Sequence, residues 1–317
     1  MKIVFVADPL VNFDPYAETT SFLIHELCRR QALCYHVELK DLYAINHQLF
    51  AQAKEIVVKN IQNKFVYTIT KNTNINLAKM DAVFLRKDPP VDLSFIDHLS
   101  LFELIANQTL VINNPSGVKF ANEKLFTLYF PEFIAKTIVS QNRELIAEFV
   151  KKQNVAILKP LNLSGGRGII RVEAKDPSLN SIIDVLTEYQ SRFIMAQEFL
   201  PAVSKGDKRI LLLDGQILGS FTRVPSKKDF RGNLHSGATL IKSKVTKTDL
   251  SIVNSITPRL KELGLYFVGI DVLGDKVTEI NSTSPMGIRE INHNDNSYIE
   301  KVMIDWLQAK IKARKNP

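Results

Sequence analysis

Val155-Ala156-Ile157-Leu158-Lys159-Pro160, then Leu161-Asn162-Leu163-Ser164-Gly165-Gly166-Arg167-Gly168, then Ile169-Ile170-Arg171-Val172: the reading of this chain turns on that stretch. Two short apolar runs flank a glycine-rich loop, so the pattern is strand, loop, strand. Glycines let backbone N–H groups approach phosphate oxygens, and Lys159 at the strand end adds a point charge beside them. A glycine-rich hairpin turn is the competing reading of these residues alone. The chain has no G-x-x-x-x-G-K-[ST], so a P-loop is excluded, and its first strand–helix turn lacks G-x-G-x-x-G, so a dinucleotide-binding role has no support.

C-terminal to this stretch, Phe193 to Ala196 reads as a strand, and Lys208 to Leu213 with Gln216 to Thr222 as a hairpin turning at Asp214-Gly215. Arg223 to Ser243 is a polar loop, Lys247 to Leu263 a helix, and Phe267 to Leu273 and Val277 to Asn281 are strands before a final helix. Asp271 interrupts an otherwise apolar strand, so it should be buried and paired with a cation. Glu279 and Asn281, two apart on a strand, face the same side. Two carboxylates and an amide oxygen are hard ligands of the kind Mg²⁺ uses when phosphates supply the rest, although a solvated polar face is the bland alternative. A three-residue turn at Gly274-Asp275-Lys276 would set Asp271 opposite Glu279, whereas a two-residue turn would pair it with Thr278 and divide the ligand set between faces. Five arginines, Arg86, Arg209, Arg223, Arg231 and Arg289, are forks suited to carboxylates and phosphates; each taken singly reads as surface charge.

N-terminal to the stretch, Lys2 to Ala7, Tyr35 to Leu39, Asp81 to Leu85 and Leu110 to Ile112 read as strands. A helix over Thr20 to Gln31, capped by Thr20 or Ser21, and another after Pro90 alternate with them, predicting an α/β domain to about residue 119. Polar strand ends in such sheets line ligand crevices. The 317 residues, 45% hydrophobic and 23% charged, suffice for two or three packed units. No run approaches the ~18 apolar residues of a membrane span, and the apolar start stops at Asp8, too short for a secretory signal, so a cytoplasmic protein is expected.

Cys28 and Cys34 are the only cysteines, which excludes a disulfide framework and reads as inert thiols. The six histidines show no ligand spacing, and His235 in the polar loop is read as solvent-exposed. No Ser-His-Asp or Cys-His pattern emerges, so the chemistry should not need a covalent nucleophile. Part of the net charge of +8 is the terminal run Lys310, Lys312, Arg314 and Lys315, read as a solvated helix end. It has no interleaved aromatics to support nucleic-acid binding.

Lys159-Pro160 with Ser164 to Gly168, Gln197-Glu198-Phe199-Leu200-Pro201, Gly206-Asp207-Lys208-Arg209 and Asp271…Glu279-x-Asn281 resemble the ATP-grasp ligases. More narrowly, Leu85 to Pro90, Asn122 to Thr127, Thr222 to Pro225, Arg231 to Leu234, Phe267 to Asp271 and Thr278 to Pro285 are similar to the bacterial glutathione synthetase family, across essentially the whole chain. The resemblance implies mixed α/β and α+β architecture: an ATP-grasp fold preceded by a Rossmann-like α/β domain. It divides the chain at 1–119, 120–200 and 201–317. It implies that Lys124 and Lys159 hold the ATP phosphates under the Gly165-Gly166 turn. Glu198, Phe199 and Leu200 would meet adenine, Gln197 would belong to the same ATP site, Asp207 would lie near the ribose, and Asp271, Glu279 and Asn281 would hold Mg²⁺, with Mn²⁺ as the alternative ion. Arg209, Arg223 and Arg231 would act in catalysis. Arg86, Arg223, Arg231, Gly232, Asn233, Ser284 and Arg289 would surround the substrate.

The implied activity joins γ-glutamylcysteine to glycine through an acyl phosphate, with no nucleic-acid or membrane partner, in a homo-oligomer, by resemblance a tetramer. Arg223 to Ser243 would be a lid shielding the acyl phosphate from water, cut by protease near Lys227 or Lys228 and protected by ligands. The chain departs from the family pattern after Asn233-Leu234, where His235-Ser236-Gly237-Ala238-Thr239 replaces a Gly-Gly-Arg-Gly-like end, and at Met286-Gly287. Competing functions are a ribosomal-protein glutamate ligase, a D-alanine–D-alanine ligase, and a non-catalytic nucleotide-binding protein. The Arg86 segment and the Arg231-Gly232-Asn233 loop, outside the shared ATP site, count against the other ligases.

Overall fold

The computed structural model describes residues 1–226 and 238–315. Three sheets follow one another along the chain. The first begins with β1 (Lys2–Ala7), α1 (Thr19–Arg29), β2 (Leu33–Val37), β3 (Leu42–Ile45), β4 (Gln48–Ile61) and β5 (Lys64–Asn76). It continues with β6 (Ala82–Arg86), α2 (Leu93–Glu103), β7 (Leu110–Ile112) and α3 (Pro115–Phe120). Strands β2, β1, β6 and β7 are parallel neighbours, their apolar runs covered on both faces as parallel sheets require. The N-cap of α1 is Glu18, whose side chain accepts from the Thr20 N–H, rather than the expected Thr20 or Ser21; those two are buried in the first turn.

The long antiparallel hairpin β4–β5 has no counterpart in the sequence reading. Thr68 to Asn72 is exposed on both faces, so the alternation that marks a half-buried strand is lost there. Pairing of β4 with β2 and β3 builds the hairpin onto the sheet.

The second sheet comprises β8 (Thr137–Ser140), β9 (Val155–Pro160), β10 (Ile170–Glu173) and β11 (Ile194–Glu198), all antiparallel, backed by α4 (Arg143–Gln153) and α5 (Leu179–Leu186). Its core, which includes Ile146, Val150, Leu158, Ile183 and Ala196, is its own.

The third sheet contains β12 (Asp207–Leu213), β13 (Gln216–Val224), β14 (Thr239–Lys242), β15 (Phe267–Leu273) and β16 (Lys276–Asn281). Helices α6 (Lys247–Glu262), α7 (Ile288–Asp295) and α8 (Ile299–Lys315) complete the chain. The β12–β13 turn is the expected Asp214-Gly215 pair, both at positive φ (51° and 81°), as a type I′ hairpin demands.

Cores of the first and third sheets are shared: Val4, Val83 and Val111 belong to one cluster with Ile210, Ile256, Val268 and Ile280. Asn113 stitches the two units, donating to the carbonyls of Phe267 and Ser282 (2.7 Å each) and accepting from the Phe267 N–H (2.8 Å). Among the described residues, no helix is long and apolar enough to cross a membrane.

Candidate active site

The ends of β9, β11, β12, β15 and β16 converge on one crevice between the second and third sheets. Lys124, Lys159, Gly165, Gly166, Gln197 to Leu200, Asp207, Arg209, Arg223, Asp271, Glu279 and Asn281 all line it. Apolar Ile157, Ile169, Val203 and Leu273 form the rest of its wall with Thr278. Ile157 was legible, since it lies two residues before Lys159 on the same strand face. Leu273 was legible in the same way, two residues after Asp271 on β15, whereas nothing local marked Val203.

The metal candidates sit as the chemistry required, by another route. Leu273 pairs with Lys276, so the turn has two residues, Gly274 and Asp275, and not the expected three. A bulge then leaves Thr278 unpaired, and the register resumes with Asp271 opposite Glu279 and Gly269 opposite Asn281. The bulge supplies the one-residue shift that the longer turn was expected to supply, and the three ligand candidates face the crevice together.

Asp271, 4% exposed, has the cation partners its burial demands, and they are guanidiniums. Arg209 donates to both its carboxylate oxygens in a fork, through Nε to Oδ1 and through Nη2 to Oδ2 at 2.8 Å. Arg223 Nη2 lies 3.0 Å from the same Oδ2 and also pairs with Asp207. Burial alone would raise the Asp271 carboxyl, but Arg209 and Arg223 hold it well below the usual carboxylate range. Asp207, sharing only Arg223, is pushed by burial up to about 7 against that arginine's pull. Gly269 makes room for the fork: a Cβ there would meet Arg209 Cδ at 3.1 Å.

Opposite this group stand the lysines. Lys124 Nζ pairs with Glu279 Oε1 at 2.9 Å and donates to the Leu163 carbonyl. Lys159 donates to Gln197 Oε1, and burial pushes its ammonium down to about 8 despite nearby Glu279. Glu123, beside Lys124 in the sequence, is buried and accepts from Thr283 Oγ1 at 2.7 Å. Burial and then Glu279 push its carboxyl up to about 7.

The other arginines are placed differently. Arg86, at the end of β6, is 3% exposed, donates through Nε to Thr20 Oγ1 (3.1 Å), and stacks over Phe267. Its Nη2 reaches Met286 Sδ at 3.9 Å, and Ser284 Oγ donates to its carbonyl at 3.3 Å. The Met286 carbonyl accepts from Arg209 Nη1 at 3.3 Å, so Arg86 adjoins the crevice one residue away. Arg289 is exposed on α7. Arg231, Gly232, Asn233 and His235, with Lys227 and Lys228 of the expected lid, lie outside the described residues.

Two carboxylates on adjacent strands with an amide oxygen fit a hard divalent cation, and their present partners are the cations that a metal would replace. Glu279→Gln should therefore abolish the metal-dependent activity while the protein stays folded, because Glu279 is more exposed than Asp271 and loses one ion pair only. Titrating activity against Mg²⁺ checks this; a fully active variant would show the metal to be misplaced.

Residues 123–296 match the family model described as prokaryotic glutathione synthetase, ATP-grasp domain, and residues 1–119 match prokaryotic glutathione synthetase, N-terminal domain. The glutathione synthetase of Vibrio vulnificus (strain CMCP6) is 38% identical over 316 residues, covering 99% of each chain. That of Escherichia coli O6:H1 is 37% identical over 316 residues, covering 99% of this chain and 100% of its own. Among solved structures, D-cycloserine synthetase DcsG superposes with a TM-score of 0.67 at 12% identity, over 98% of this chain and 99% of that one. The ATP-grasp ligase PsnB, complexed with a phosphomimetic variant of its minimal precursor, Mg and ADP, gives 0.64 at 18% identity over 98% of both. At identities so low the superpositions show the ATP-grasp fold alone, and the family models and full-length relatives narrow it: this chain belongs to the prokaryotic glutathione synthetase family and is an ATP-dependent ligase.

Proposed function

We propose that the chain joins γ-glutamylcysteine to glycine, yielding glutathione, ADP and phosphate. The observation that carries this reading is the match of both residues 1–119 and residues 123–296 to the prokaryotic glutathione synthetase domains, over a crevice where Lys124 and Lys159 meet the Asp271, Glu279 and Asn281 set, Arg209 forks on Asp271, and Arg223 bridges Asp271 and Asp207. The cysteinyl carboxylate of γ-glutamylcysteine attacks the γ-phosphorus of ATP and ADP leaves. The glycine amine then attacks the acyl carbon, phosphate leaves, and the amine proton is lost to solvent. Such transfer depends on positioning and charge neutralisation more than on covalent assistance from the protein.

Lys124 and Lys159 hold the phosphates under the Gly165-Gly166 turn, and Glu198, Phe199 and Leu200 meet the adenine, with Asp207 near the ribose. Asp271, Glu279 and Asn281 hold Mg²⁺ or Mn²⁺, which neutralises phosphate charge when bound. Arg209 and Arg223 turn from Asp271 toward the transferring phosphoryl group, joined by Arg231. Arg86, Ser284, Gly232 and Asn233 surround γ-glutamylcysteine. The units 1–119, 120–200 and 201–317 act as substrate-side, phosphate-loop and metal-site domains of a cytoplasmic homotetramer.

ADP release with γ-glutamylcysteine and glycine together, against each alone and against D-alanine, tests the reading. Release only with D-alanine would transfer the chain to the dipeptide ligases. A pH dependence follows from Lys159, which must be charged to hold phosphate: kcat/KM for ATP should fall as pH rises past about 8. The decline in kcat should begin at higher pH, because bound phosphates favour the protonated amine. A kcat/KM for ATP that stays level to pH 10 would exclude this role for Lys159.

A further inference from the structure

Strand register in the second sheet places three polar side chains on the sheet face turned away from its apolar core, two of them lining the crevice. Thr137 of β8 stands opposite Gln197 of β11, while Lys159 of β9 stands opposite Met195, one step diagonal to Gln197. The alternate residues Ile138, Ala196 and Leu158 face the other way, into the apolar core. Lys159 and Gln197 are 8% and 3% exposed, so their polar atoms depend on one another.

The hydrogen bonds between them run in one direction only. An ammonium can only donate, so Gln197 must present its Oε1 to Lys159. Its Nε2 then needs an acceptor and finds Thr137 Oγ1 at 2.9 Å. The Thr137 hydroxyl commits its own proton to the Ala135 carbonyl at 2.7 Å, leaving an oxygen that can only accept. Flipping the Gln197 amide would set donor against donor at Lys159.

We propose that Thr137 and Gln197 are positioning residues that orient the Lys159 ammonium before nucleotide arrives; this rests on the assignment of Lys159 to the ATP phosphates. A lysine head on its flexible stem otherwise samples several rotamers, and fixing one beforehand removes that ordering cost from nucleotide binding. Thr137 does not line the crevice, so its influence on nucleotide runs through Gln197 and Lys159.

The test is a cycle of variants, read by the Kd of the non-hydrolysable analogue AMP-PNP with Mg²⁺ and by the KM of each substrate. Thr137→Val keeps the shape and removes the hydroxyl, leaving the buried amide N–H unpaired, so analogue binding should weaken by roughly 3- to 30-fold. The KM values for γ-glutamylcysteine and glycine should not change, and Thr137→Ser should restore binding to within about 2-fold of the parent. In a Lys159→Ala background, Thr137→Val should have no further effect, because the group it positions is gone. Gln197→Met, which keeps length without polarity, should reproduce the same pattern and serves if Thr137→Val does not fold. Parental analogue affinity in both variants, an equal loss in the Lys159→Ala background, or failure of Thr137→Ser to restore binding would overturn the relay. Undiminished analogue binding by Lys159→Ala itself would overturn the site assignment, and the relay with it.

Discussion

Lys159→Ala should lose nearly all ligase activity, by about 10²- to 10³-fold or more in kcat/KM for ATP, while remaining folded. The loss follows from position: Lys159 ends β9 beside the Gly165-Gly166 turn and lines the same crevice as the metal candidates. Folding should survive because this ammonium is held in the fold at some cost. Its pKa, driven by burial to about 8, lies below that of an exposed lysine, so the unfolded chain binds the proton more tightly and the charge opposes folding at neutral pH. Removing the group relieves that penalty and leaves Gln197 Oε1 as the main loss. Circular dichroism with an ADP-release assay checks both halves. A folded variant that releases ADP at the parental rate would remove Lys159 from the site.

Asp271→Asn should be the more damaging change to the fold. Arg209 and Arg223 both rest on that carboxylate, and the Arg209 fork is almost completely buried with it. With the carboxylate replaced by an amide, Arg209 loses its buried counter-ion and Arg223 keeps only Asp207. Breaking a buried ion pair by removing one partner costs about 3–5 kcal/mol. Urea unfolding at pH 7 should show a loss in that range, and binding of Mg²⁺ and AMP-PNP should disappear with it. A loss below about 1 kcal/mol would mean that water or another acid already serves the arginines.

Both expectations concern charges, and the sequence named the charges without naming their partners. Asp271 could be read as buried because its neighbours in β15 are apolar, and a cation partner followed from the cost of burial. That these partners are Arg209 and Arg223 could not be read. Arg209 lies on β12 and Arg223 on β13, and only the pairing of β12 with both β13 and β15 brings them to Asp271. Lys124 and Glu279, 155 residues apart, meet for the same kind of reason. The arginine candidates divide likewise: Arg209 and Arg223 enter the crevice, Arg86 adjoins it through Met286, and Arg289 faces solvent.

By itself, the sequence determined what local periodicity and composition can carry. Strands β1 and β15 have the expected limits, the Asp214-Gly215 hairpin forms as read, and the strand–glycine loop–strand pattern falls beside the crevice. These depend on side-chain alternation and on the few residues that tolerate positive φ, both local properties. Tertiary structure decided the rest. The β5 half of the β4–β5 hairpin owes its place to pairing with β4, since Thr68 to Asn72 carries no buried face, while β4 buries Leu49, Ala51, Ala53, Ile56 and Val58 in an alternation the sequence reading missed. The metal-site register owes its shift to a bulge at Thr278 instead of a longer turn, a choice made between strands that no single strand encodes. Which cation neutralises which buried acid is settled by strand order, because electrostatic partners are neighbours in space and burial makes each pairing obligatory.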